Sequence, residues 1–92
     1  MTGDEGEDPV HLQLSRDEAL VLFEWIHRVE EAGRFRQVVH DSAEVVALWR
    51  LSGVLEKALP EPFDPNYRDL VRAASERLLK GQDPDPLSLY SP

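Results

Sequence analysis

Apolar residues recur in three stretches of the chain at the three- and four-residue spacing of an amphipathic helix. The stretches cover about residues 16–32, 42–59 and 65–80. Gly33 and Gly81 follow the first and third stretches, where a residue in the left-handed conformation commonly ends a helix. The pattern predicts a mostly α fold, a small three-helix bundle.

The first stretch carries the clearest helix signals. Ser15 stands three residues before Glu18, an S-x-x-E capping box in which each side chain satisfies a backbone N–H. Its apolar residues cover roughly 200° of the helical wheel, whereas a surface helix needs a stripe somewhat over ~100° wide. This surplus predicts a helix that is covered on several sides, either by its own chain alone or in part by a second molecule.

The second stretch begins with another capping signal, Asp41 followed by Glu44, and ends before Pro60. It also has two adjacent apolar strips. The strip predicted to face the core contains Val45, Leu48, Ser52, Leu55 and Leu59. The strip beside it contains Ala47, Leu51, Val54 and Ala58.

The third stretch reads as an outer helix with one partner face. Asp64 before Pro65 fits an N-cap followed by proline at the first helical position. Phe63, in the Pro-rich connector, is predicted to fill the core between helices. The predicted core stripe is of ordinary width and contains Tyr67, Leu70, Val71, Ala74 and Leu78.

Charge and proline divide the chain into three parts. Residues 1–9 form an acidic leader without a hydrophobic cluster, and residues 82–92 form a Pro-rich tail. Both ends are predicted to be disordered, although Leu87 and Leu89 could dock in an extended form. Residues 10–81 then make a single helical domain.

The segment Val10–Leu14 alternates apolar and polar residues, the period of a half-buried strand. A strand has to pair with another strand, since unpaired backbone groups are costly when buried. Candidate partners are its own copy in a dimer, the region of residues 38–39, or residues 87–90. The alternative is an extended arm whose leucines pack on the helices.

The amino-acid composition excludes several kinds of site and of binding partner. The chain has no cysteine, which excludes disulfides and cysteine-ligated metals. Residues 1–8 hold four of the 18 carboxylates and residues 82–92 hold two, so residues 9–81 set 12 carboxylates against all ten cations. A nucleic-acid-binding domain needs a basic stripe, which this balance does not supply. The acidic N-terminus lacks the apolar core of a signal peptide, and we expect a cytoplasmic protein without a membrane segment.

Known catalytic motifs are missing from the sequence, and we expect neither an enzyme nor a bound cofactor or metal. Glu24 and His27 have the E-x-x-H spacing of di-iron bundles. Both are predicted to lie on the solvent side of the first helix, where they would not converge on a metal. Four aromatic residues, Trp25, Trp49, Phe35 and Tyr67, are predicted to belong to the core more than to an interface, with Trp25 the best candidate for an interface.

These observations favour a small, bacterial, non-enzymatic protein-interaction module that acts as a homodimer, of an adaptor-like, antitoxin-like or immunity-like kind. We predict that it binds protein surface through the apolar faces of the first two helices, with Val21, Trp25, Leu51 and Val54 as partner-binding residues. The alternative is a small-molecule or metal-binding domain with a pocket between these two helices.

Overall fold

A computed structural model describes residues 8–90 of the protein and shows a small helical bundle. Its helices are α1 (Arg16–Glu31), α2 (Phe35–Val38), α3 (Ser42–Ala58) and α4 (Tyr67–Leu79). The predicted mostly α fold is thus confirmed. The three long helices begin and end within two residues of their predicted limits, and the predicted connector after Gly33 contains one further helical turn, α2.

The ends of α1 follow from its capping residues. The Ser15 hydroxyl accepts the Glu18 amide at 3.0 Å, and the Glu18 carboxylate accepts the Ser15 amide at 2.8 Å. Gly33 has a φ of 66°, and the amides of Gly33 and Arg34 donate to the carbonyls of Glu30 and Val29. This is the Schellman arrangement, which satisfies carbonyls that the helix end leaves without partners.

The starts of α3 and α4 differ from the predicted motifs. Asp41 caps α3 by accepting the Ala43 amide at 2.9 Å, but Glu44 accepts the amide of His40 and not that of Asp41. For α4, Asp64 does not cap a helix that starts at Pro65. Its carboxylate instead accepts the amide of Asn66 at 2.7 Å and forms a local turn. α4 therefore begins two residues later than predicted, at Tyr67.

α1 is the central helix, and it packs along α3 on one side and α4 on another. The core lies along these two contacts. Its buried side chains are Ala19, Leu20, Phe23, Ile26, Leu55, Leu59 and Ala74. Because α1 is covered on two sides, Leu20 is only 2% exposed.

Two aromatic residues predicted for the core lie at the surface. Phe63 is 77% exposed, since the 3₁₀ turn Glu61–Phe63 directs it outward while Glu61 lies half-buried. Trp49 is 53% exposed. It follows Leu48, which packs against the core, and one residue turns a helix by about 100°.

The segment before α1 is an extended arm. Residues 9–15 contain no β-strand within the described part of the chain, so the predicted strand is not observed. The alternative of an extended arm is observed in its backbone only, because Leu12 is 76% exposed and is not packed on the helices. After α4, Pro86–Leu89 forms a 3₁₀ turn, and Leu87 and Leu89 are exposed instead of docked in an extended form. Most of the predicted disordered leader, residues 1–7, lies outside the described residues.

Candidate protein-interaction surface

The four predicted partner-binding residues occupy two different environments. Val21 and Leu51 are half-buried and pack against the core. Trp25 is 36% exposed on α1, and Val54 is 64% exposed on α3. Trp25 and Val54 therefore offer apolar surface to a second molecule, whereas much of Val21 and Leu51 is already covered.

The structure brings Leu51 and Val54 together with the arm. Both line a cleft of about 550 Å³ between the arm and α3, which we call the arm cleft. The arm supplies the apolar side chains of Val10, Leu12 and Leu14 to the same cleft. Val21 and Trp25 do not line it, so the structure does not bring the four predicted residues together on one surface.

A second apolar surface lies on α3 and was missed by the sequence reasoning. Val46 is 39% exposed and Trp49 is 53% exposed, and Gly53 follows on the same side of the helix. A Cβ at Gly53 would meet no atom within 4 Å. We call these three residues the outer strip. Their spacing of three and four residues was the signal that could have revealed it.

The edge of the contact between α1 and α4 is polar. A groove of about 600 Å³ runs there, and Glu24 and Tyr67 are among the residues that line it. The Tyr67 hydroxyl donates to Glu24 Oε1 at 2.8 Å, and Arg28 Nη1 lies 3.9 Å from Glu24 Oε2. Burial, and secondly this hydrogen bond to Glu24, raise the pKa of Tyr67, which keeps the phenol protonated as a donor.

This packing corrects the prediction that Glu24 and His27 lie on the solvent side of α1. Both are half-buried, and the His27 ring lies 4.3 Å from the Phe23 ring, centroid to centroid. For Glu24 the reason is its hydrogen bond with Tyr67 of α4, a helix that the wheel of α1 does not contain. Among residues 8–90, no three histidine, aspartate or glutamate side chains are grouped so that they could hold a metal ion.

One ion pair fastens the end of α4 to the start of α1. Arg77 donates from Nε and Nη2 to the two carboxylate oxygens of Asp17, each at 2.8 Å. The hydrogen bond from Arg77 lowers the pKa of Asp17. Such a bidentate pair fixes geometry as well as charge. Hydrogen bonds and an ion pair thus hold α1 to α4. The exposed apolar side chains described above, Trp25 on α1 and Trp49 and Val54 on α3, lie outside these polar contacts.

The chain was compared with known protein families, curated proteins and solved structures. No protein-family model, curated protein or solved structure matches the chain. In the described part of the chain, no helix combines the length and the apolar character needed to cross a membrane.

Proposed function

We propose that this protein is a small, non-enzymatic, cytoplasmic interaction module that binds protein surface and forms a homodimer. The outward side of α3 is the observation that carries the proposal. A helix on the surface of a monomer normally presents polar residues to solvent. α3 instead presents the outer strip and Val54, with 53% of Trp49 and 64% of Val54 exposed.

Trp49 is large enough to matter for affinity. A buried aromatic side chain removes about 150–250 Å² from water, so the exposed half of Trp49 offers about 100 Å². At roughly 25 cal/mol per Å² its burial contributes about 2.5 kcal/mol. That is the size of an interface hot spot, a role in which tryptophan is enriched. The exposed part of Trp25 adds apolar area on α1.

Self-association is measured by size-exclusion chromatography with light scattering across the micromolar range. We expect about twice the chain mass of 10.5 kDa. Trp25→Asp and Trp49→Asp are each expected to weaken association at least about tenfold, since a charge would replace buried apolar area. Circular dichroism should show unchanged helicity for Trp49→Asp, because about half of the Trp49 side chain is exposed. Trp25 is 36% exposed, and circular dichroism of Trp25→Asp should show helicity largely retained.

Leu79→Asp is the matched control. Leu79 is also 53% exposed but lies at the end of α4, away from the outer strip. It should leave self-association within about twofold. Equal weakening by Leu79→Asp and Trp49→Asp would indicate a general effect of charge and would refute the assignment to α3. A monomer at every concentration would refute the homodimer.

Binding of a different protein is tested with the wild type, Leu79→Asp and Trp49→Asp as baits. A captured protein should be retained by the wild type and Leu79→Asp and lost with Trp49→Asp, and titration of the two purified proteins should reproduce this order of affinity. A partner that binds all three chains equally would contradict the role of the outer strip. Adaptor-like, antitoxin-like and immunity-like activities all require such a protein partner.

A small-molecule site is the second candidate function, and the arm cleft favours it. Its volume of about 550 Å³ falls within the range of ligand pockets, about 300–1,000 Å³. Its lining is mainly apolar, with Arg50 as a charged group. A hydrophobic anion that raises the melting temperature of the wild type, but not of Arg50→Ala, would support this function over protein binding.

A further inference from the structure

The backbone of the arm is unpaired. From Val10 to Leu14, no amide or carbonyl forms a hydrogen bond with any other residue that the structure describes. The apolar side chains are exposed as well, to 83% at Val10, 76% at Leu12 and 39% at Leu14. An extended segment with free backbone groups and alternating apolar residues is a ready template for pairing with another strand.

The ends of this free segment are sharply defined. Pro9 has no amide hydrogen to donate. The amide of Ser15 is already used by the Glu18 carboxylate, at 2.8 Å. Only Val10–Leu14 is therefore available for a ladder. Its length is five residues, and its midpoint is Leu12.

Antiparallel pairing of two such arms about Leu12 is complementary in both shape and charge. Val10 of one chain would face Leu14 of the other, and the two copies of Leu12 would face each other. Residues that lie opposite in an antiparallel pair share a face, so the six apolar side chains would all lie on one side. Two residues beyond the ladder at each end, Asp8 would lie near Arg16 of the partner subunit.

We propose that the arm pairs with the arm of a second copy of this chain, as an antiparallel two-stranded ribbon centred on Leu12. The inference rests on the homodimer proposed above and adds a second element, the arm, to its interface. The apolar side of the ribbon meets the arm cleft, where Leu12 and Leu14 already lie beside Leu51 and Val54. Two Asp8–Arg16 contacts fix the register, with Arg16 also 3.6 Å from Glu61 of its own chain.

A cysteine placed at the midpoint tests this register directly, since the chain has no cysteine of its own. Directly opposed residues of an antiparallel pair have Cα atoms about 4.5–5.5 Å apart. A disulfide requires about 4.4–6.8 Å. Under mild oxidation, Leu12→Cys should therefore become a covalent dimer in more than about half of the chains.

Val10→Cys is the matched control. Two copies of residue 10 would be offset by four positions, about 13 Å at ~3.3 Å per residue, and should not cross-link with each other. A mixture of Val10→Cys and Leu14→Cys chains should cross-link, because these residues face each other in the ribbon. Both sites are exposed, and circular dichroism will verify that the variants fold.

The charge pair provides an independent measurement. Asp8→Arg and Arg16→Asp should each weaken dimerisation at least about threefold, because an exposed ion pair would be lost twice by symmetry. The double exchange should restore it, a rescue that a local effect on α1 would not produce. Cross-linking of Val10→Cys as fast as Leu12→Cys would overturn the register. A dimer by light scattering without cross-links at Leu12→Cys would overturn the ribbon but leave the homodimer standing.

Discussion

The phenol of Tyr67 offers the sharpest test of how α4 is held on α1. Its hydroxyl donates to Glu24 Oε1 at 2.8 Å across 43 residues of chain, and both side chains are half-buried. Tyr67→Phe removes this one bond and keeps the ring that packs against the core. A hydrogen bond to a charged group contributes about 1.5–3 kcal/mol. Because the groove is partly open to water, we expect a loss of about 1–2 kcal/mol.

For a domain of this size, such a loss lowers the melting temperature by roughly 5–10 °C. Urea and thermal denaturation followed by circular dichroism measure it. A double-mutant cycle with Glu24→Ala isolates the pair, because alanine cannot accept a hydrogen bond from the Tyr67 hydroxyl, and we expect a coupling free energy of about 1 kcal/mol. The Arg28 contact of Glu24 is present in both the wild type and Tyr67→Phe, so it cancels in the comparison of these two proteins.

The pH dependence gives a second, independent signature. Burial raises the pKa of Tyr67 above its unfolded value of about 10. Below pH 10 the phenol is protonated in both states, and the stabilisation is fully present. Above pH 10 the unfolded chain loses this proton first, so stability falls as the pH rises. Tyr67→Phe lacks this loss, and its difference from the wild type should narrow above pH 10. A difference that stays constant to pH 11, or one below about 0.3 kcal/mol at pH 7, would refute the reasoning.

Three further predictions concern the bundle itself. Ile26→Ala should destabilise the fold by about 2–5 kcal/mol in chemical denaturation, since Ile26 is 1% exposed in the core. Gly53→Ala should stabilise the isolated chain by about 0.5–1 kcal/mol in the same assay, because the added Cβ meets open space and alanine favours a helix. A lower stability of Gly53→Ala would show that the site is crowded. Asp17→Asn should lower the free energy of unfolding at neutral pH. Because Arg77 holds the pKa of Asp17 below its unfolded value, the difference between Asp17→Asn and the wild type should disappear as the pH falls below about 4. Unfolding of both proteins measured across this acid range tests the sign.

Local sequence was sufficient to determine the helices and most of their ends. Ser15 with Glu18 and Gly33 satisfy backbone groups within a few residues, so their effect does not depend on the rest of the fold. The core stripe of α4 was also predictable, because that helix has one partner face. α4 begins later than predicted because Asp64 forms a local turn with Asn66, a choice between two short-range bonds that the pattern alone did not resolve.

The tertiary structure alone decided which apolar residues are buried and which remain available for binding. α1 is packed on two sides, which buries Leu20 and makes Glu24 half-buried, although a single-helix wheel placed Glu24 in solvent. On α3 the helix rotation buries Leu55 and leaves Trp49 and Val54 outside. Neighbouring positions differ by about 100° around a helix axis, so burial depends on the direction from which another helix approaches, and a linear pattern does not contain that direction.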